Sequence, residues 1–162
     1  MMPKTWGAGL SANQLDLNHF YITGARTITE TDLVNFVNAT WLTEEIFTNI
    51  ANPKGISLNG RVVPGALVYA YAEGLNMPFL NAVGLAFLST EIIVKNPTYV
   101  GDTIHVEFKV IEKRLTSNPE KSIVKTENTV YKQDGTVVMI YSPVRLLKTQ
   151  IKNDYADRYE SK

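Results

Sequence analysis

The sequence predicts an α+β domain in which an antiparallel sheet wraps one long central helix, and three features predict it. The segment Pro64-Gly65-Ala66-Leu67-Val68-Tyr69-Ala70-Tyr71-Ala72-Glu73-Gly74 is apolar almost all round, as a helix enclosed on most sides should be. Four later runs are rich in β-branched and aromatic residues: Phe87 to Val94, Thr103 to Val110, Ser122 to Tyr131 and Thr136 to Leu147. Within the second run Ile104, Val106, Phe108 and Val110 alternate with His105, Glu107 and Lys109, the period of a sheet with one face on a core and the other wetter.

In chain order, Phe20-Tyr21-Ile22 forms a short strand after a polar lead-in. Thr29-Glu30-Thr31-Asp32 then starts a helix, because a Thr with an acid three residues on can satisfy the first backbone amides. Leu33, Phe36 and Val37 give that helix one buried stripe. Between Ile46 and Val62 the pattern gives way to Asn, Gly, Ser and one Pro, so an irregular loop is expected. Gly74 is placed to end the central helix, and Asp134-Gly135 suits the turn of a hairpin between the last two strands. One domain over 1–148 is expected, with a charged tail over 149–162. A single sheet of this kind leaves an edge strand and part of the helix uncovered. Edge-to-edge homodimerisation, or a higher assembly built on it, would cover both.

Composition narrows the function classes. Sixteen basic residues balance sixteen acidic ones, so no field favours nucleic acid or an anionic membrane. No apolar stretch is long and clean enough to span a bilayer, and a cytoplasmic protein is expected. The absence of cysteine removes thiol catalysis and Cys-ligated zinc, and two separated histidines, His19 and His105, make a metal site improbable. No cofactor is expected.

Four pieces together resemble a known family. They are Arg26-Thr27-Ile28-Thr29-Glu30-Thr31-Asp32-Leu33-Val34-Asn35-Phe36, Gly60-Arg61-Val62-Val63-Pro64-Gly65-Ala66-Leu67, Asn96-Pro97-Thr98-Tyr99-Val100-Gly101-Asp102-Thr103-Ile104, and the Asp134-Gly135 turn. In this order they resemble the entry helix, the turn into the central helix, the link between strands and the last hairpin of MaoC-like (R)-specific enoyl-CoA hydratases and dehydratases. The resemblance implies the hotdog fold, a homodimer, and an acyl-CoA or acyl-carrier thioester at the interface. It also implies that the Gly65 amide polarises the thioester carbonyl. Physical chemistry agrees, since a helix N-terminus offers unpaired N–H groups and a positive dipole end to a developing oxyanion. A plain helix start with a permissive glycine is the competing reading.

The same resemblance exposes a gap. Hydratases of this family carry an Asp and a His five residues apart, in a segment of the form Asp-x-Asn-Pro-x-His. Aligned from Phe36 to Gly65, those positions fall on Leu42 and Phe47, neither of which transfers a proton. The pattern of the carrier-protein dehydratases fails too, because its helix acid falls on Ala70 and no histidine lies between His19 and His105. Glu44 and Glu45 are weak substitutes, since a carboxylate in a dry pocket can be raised into acid–base range, and the competing reading is a pair of solvated loop acids. Asn38 and Thr40 can hold a water, Asn59 and Arg61 can hydrogen-bond a thioester or a CoA phosphate, and Val63 and Tyr69 can line the pocket. Glu73, four residues after Tyr69, points either toward the thioester or to a rim at the helix end.

Three functions are compatible with these residues. The first is a MaoC-like acyl-thioester hydratase or dehydratase with relocated acid–base groups, a lyase of fatty-acid metabolism. The others are a non-catalytic acyl-thioester-binding or partner subunit, and a hotdog thioesterase, which needs only one carboxylate to activate water.

Overall fold

The computed structural model describes residues 9–51 and 60–151. After a single 3-10 turn at Ala12–Gln14 come β1 (Phe20–Ile22), β2 (Arg26–Thr27), α1 (Glu30–Thr40), α2 (Glu45–Thr48), α3 (Gly65–Leu75) and α4 (Met77–Leu80). Then follow β3 (Gly84–Ser89), β4 (Ile92–Val94), β5 (Thr103–Leu115), β6 (Lys121–Lys132), β7 (Val137–Tyr141) and β8 (Val144–Lys148). All the strands join one antiparallel sheet, with the path β1-β5-β6-β7-β4, and β8 linking β6 to β3. One face of the sheet holds α3, whose Leu67, Val68 and Ala72 are buried with Ile104, Val106, Val130, Met139 and Tyr141.

The expected alternation holds along β5, where Ile104, Val106, Phe108 and Val110 are buried and their odd-numbered neighbours are half-exposed. Two of the expected strands are in fact divided. The run from Phe87 to Val94 starts earlier, at Gly84, and breaks at Thr90-Glu91 into β3 and β4. The run from Thr136 to Leu147 breaks at Ser142-Pro143, because proline has no N–H for the ladder. The hairpin turn between β6 and β7 is as expected, with Gly135 at φ 83°.

Thr29 caps α1. Its hydroxyl accepts from the Asp32 amide, while the Asp32 carboxylate accepts from the Thr29 amide at 2.8 Å. We expect Thr29→Ala to cost about 1 kcal/mol of unfolding free energy in urea titration, without moving the midpoint of any ligand response.

The central helix differs from expectation in two ways. It is not enclosed all round, since Ala66, Ala70 and Gly74, four residues apart, form an exposed stripe. Nor does Gly74 end it. The helix runs to Leu75, and Asn76 closes it with a side-chain amide that donates to the Ala72 carbonyl and to the Tyr141 hydroxyl. Thr149, the first residue of the expected charged tail, packs against the domain. It is buried, and its hydroxyl meets that of Ser122 at 2.8 Å. Most of the remaining tail, 152–162, lies outside the described residues. No helix among the described residues is long and apolar enough to cross a membrane.

Candidate functional site

The chain enters α3 through Pro64, whose side chain cannot cap the helix and whose carbonyl accepts from Leu67 and Val68. The amides of Gly65 and Ala66 therefore have no acceptor within the helix, and they stand at its positive end. Beside them lies a cavity of about 40 Å3 lined by Val63, Gly65, Val68, Val94, Asn96, Pro97, Thr98, Val138 and Met139. Gly65 faces β4 closely, for a methyl on its α-carbon would lie 3.4 Å from Cγ2 of Val94. Buried Val63 fixes the approach by donating its amide to the Thr98 carbonyl at 2.8 Å.

Arg61 sits just before this turn, and Glu30 at the start of α1 holds it. Its Nε lies 2.9 Å, and its Nη2 2.8 Å, from the Glu30 Oε1. Its Nη1 is buried and has no partner among the described residues. Asn59, paired with Arg61 in the sequence reading, lies outside the described residues.

Leu42 is half-buried just after Trp41, which leaves α1 in a left-handed conformation, and Phe47 is half-buried in α2. Glu44 and Glu45 are exposed rather than held in a dry pocket. The Glu44 carbonyl accepts from Phe47 and Thr48, and the Glu45 carboxylate accepts from Asn49 at 2.7 Å. Asn38 and Thr40 are also exposed, and the Thr40 hydroxyl is spent on the Phe36 carbonyl at 2.6 Å.

Glu73 is held in an ion pair. Arg145 of β8 donates to both its carboxylate oxygens at 2.6 Å, with the arginine side chain 9% exposed and the glutamate 24%. Eight residues separate Glu73 from Gly65, about 12 Å along the helix. Tyr69 packs edge-on against Tyr141 at 5.3 Å instead of reaching the Gly65 cavity. Burial and the Glu73 charge raise both phenols above their ordinary pKa.

No protein-family model and no curated protein matches the chain. Solved structures do. A putative MaoC domain dehydratase from Chloroflexus aurantiacus superposes with a TM-score of 0.85 and 19% identity, over 93% of this chain and 44% of that one. An R-hydratase from Pseudomonas aeruginosa gives 0.71 and 17%, over 88% of each chain. A Mycobacterium tuberculosis protein described as a double hotdog gives 0.71 and 16%, over 91% of this chain and 46% of that one. The chain has the hotdog fold. At such identities the match speaks for the fold alone.

In this hotdog the sequence reading missed a polar cluster at the far end of α3. Glu73, Asn76, Thr126, Asn128, Tyr141 and Arg145 meet there beside an apolar cavity of about 30 Å3 closed by Leu15, Phe79, Phe108 and Leu147. The signal was present, since Thr126, Asn128 and Arg145 occupy inward positions of their strands. A second missed cluster ties α1 to α3, with Arg26 donating to Asp32 at 3.0 Å and to the Tyr71 hydroxyl at 3.1 Å. Asp32 is lowered from 3.8 to about 2, first by a hydrogen bond from Tyr71 and then by the Thr29 amide. A carboxyl held low when folded adds stability above its unfolded pKa and loses it as the pH falls through the folded one. We therefore expect wild-type stability to fall between about pH 4 and pH 2 more steeply than that of Asp32→Asn, read by acid titration of the melting temperature.

Proposed function

We propose that the protein is a MaoC-like acyl-thioester protein related to the hydratases and dehydratases, acting as a homodimer. The observation that carries this reading is the N-terminus of α3, which no side chain caps and where Gly65 lines a small cavity of mixed polarity. A thioester carbonyl placed there accepts a hydrogen bond and the favourable end of the helix dipole, and polarisation acidifies the α-carbon. Arg61, whose Nη1 has no partner among the described residues, is the residue to receive a phosphate or pantetheine oxygen. The hydratase and dehydratase names of the structural neighbours support the same substrate class.

A second reading is favoured by one observation. Syn-hydration needs a base for water and an acid for the α-carbon, yet Leu42 and Phe47 supply neither, and Glu44 and Glu45 are exposed. On this reading the chain binds the thioester and leaves the chemistry to a competent subunit.

The test is a panel of enoyl-CoAs and 3-hydroxyacyl-CoAs, with enoyl absorbance, free thiol and melting temperature recorded together. Reversible absorbance change without thiol release supports a hydratase with relocated groups. A rise in melting temperature without turnover supports the binding reading. Thiol release identifies a thioesterase, and silence in every channel defeats the thioester proposal.

A further inference from the structure

Beyond Val110, β5 pairs with β6 alone among the described residues, since β1 and β2 meet it between Thr103 and Lys109 and Leu17 bridges to Val110. A bulge between Val110 and Glu112 shifts the alternation, so that Lys113 stands opposite buried Val124 and Leu115 opposite buried Ser122. The inward row of Ile104, Val106, Phe108 and Val110 therefore continues on a lysine, where the pattern calls for an apolar residue. The Lys113 ammonium donates to the Ala12 carbonyl at 3.0 Å and to the Leu15 carbonyl. It makes no ion pair among the described residues, and its third N–H has no acceptor there. A half-buried cation balanced only by carbonyl dipoles is a favourable partner for an anion.

Lys113 forms part of a cleft of about 180 Å3, lined also by Ala12, Asn13, Arg114, Leu115 and Ser122. No carboxylate lines this cleft, and each of its polar side chains can donate. The Arg114 Nε lies 3.6 Å from Oε1 of Glu112, with both side chains more than half exposed, a loose pair that leaves the guanidinium open to another anion. The Ser122 hydroxyl meets that of Thr149 at 2.8 Å, and whichever of the two accepts keeps its own proton for a further acceptor. Next along β6, Lys121 faces Lys148 of β8 directly, and like charges so placed repel one another. Over this end of the sheet Lys113, Arg114, Lys121 and Lys148 stand against Glu112 and Glu120.

An ammonium, a guanidinium, a hydroxyl and an amide together offer more donors than one carboxylate accepts, whereas a phosphate ester presents three strong acceptor oxygens. Leu115, 63% exposed although it continues the inward row, adds an apolar wall with Ala12. A cavity of about 150 Å3 holds benzene, so this cleft has room for a phosphate with a few carbon atoms attached.

We propose that the cleft binds a small phosphate monoester, its phosphate held by Lys113, Arg114 and the Ser122–Thr149 hydroxyl pair and its carbon chain against Ala12 and Leu115. The site is separate from the Gly65 cavity. Met139 of that cavity stands beside Val130, which pairs with Val106, and Lys113 lies about 20 Å further along β5. It therefore stands or falls independently of the thioester reading.

The test is a titration of the 15N-labelled protein with inorganic phosphate, propyl phosphate and butyrate, read from the backbone amide spectrum. Both phosphates should give saturable shifts at Asn13, Arg114 and Leu115, with propyl phosphate at least about threefold tighter than inorganic phosphate and butyrate weakest. Arg114→Gln, at an exposed position that leaves the fold intact, should weaken propyl phosphate about tenfold, as should Lys113→Gln, which keeps an amide to meet the Ala12 carbonyl. Arg61→Gln should leave it unchanged. No saturable shift at the cleft, shifts centred on Arg61 and Gly65, or an affinity that survives both Arg114→Gln and Lys113→Gln overturns the site. Butyrate binding as tightly as propyl phosphate overturns the assignment to a phosphate.

Discussion

Glu73→Ala should lower the unfolding free energy by about 3 kcal/mol, measured by urea denaturation at neutral pH. The reason is the state in which it leaves Arg145. Arg145 is buried on an inward position of β8, and both oxygens of Glu73 accept from its guanidinium at 2.6 Å. Removing the carboxylate strands a buried cation whose desolvation is no longer offset. The figure belongs at the lower end for a broken buried pair because the glutamate itself retains some solvent contact. Glu73→Leu combined with Arg145→Met should recover most of the loss, since an apolar pair of similar size needs no counter-charge. A loss below 1 kcal/mol in Glu73→Ala would show that the pair does not hold α3 to β8.

Gly65→Pro should reduce acyl-CoA affinity at least tenfold while leaving the melting temperature within a few degrees of wild type. Proline is well suited to the first position of a helix, because the amide it lacks is one that the helix does not use. The preceding residue, Pro64, already has the extended conformation that proline requires before it, with φ −55° and ψ 135°. The substitution therefore deletes the proposed carbonyl donor with little disturbance of the scaffold. Gly65→Ala is the control. It keeps the amide and places a methyl at ordinary contact distance from Val94, so its affinity should stay close to wild type.

Much of this structure was readable because its determinants are local. The Thr29 and Asp32 box, the alternation of β5 and the Asp134-Gly135 turn each depend on residues a few positions apart. The features that were missed depend on distant partners. Asn76 rather than Gly74 ends α3 because Tyr141, 65 residues away, receives its side chain. Glu73 read as a residue pointing to the thioester or to a rim because Arg145, which holds it, lies 72 residues further on. The exposed stripe of Ala66, Ala70 and Gly74 was hidden for another reason, since small apolar residues read as buried whether or not anything covers them. At the candidate site, Leu42 and Phe47, on which the sequence spacing set the acid and base, are half-buried apolar side chains, and the Glu44 and Glu45 between them are exposed.

The most direct test of the account is the infrared spectrum of a bound acyl-CoA carrying a 13C label at its thioester carbonyl. A hydrogen bond from the Gly65 amide at the head of α3 should lower the carbonyl stretching frequency relative to free acyl-CoA, and Gly65→Pro at saturating ligand should abolish that shift. A bound thioester with an unshifted carbonyl, or a shift that survives Gly65→Pro, would contradict it.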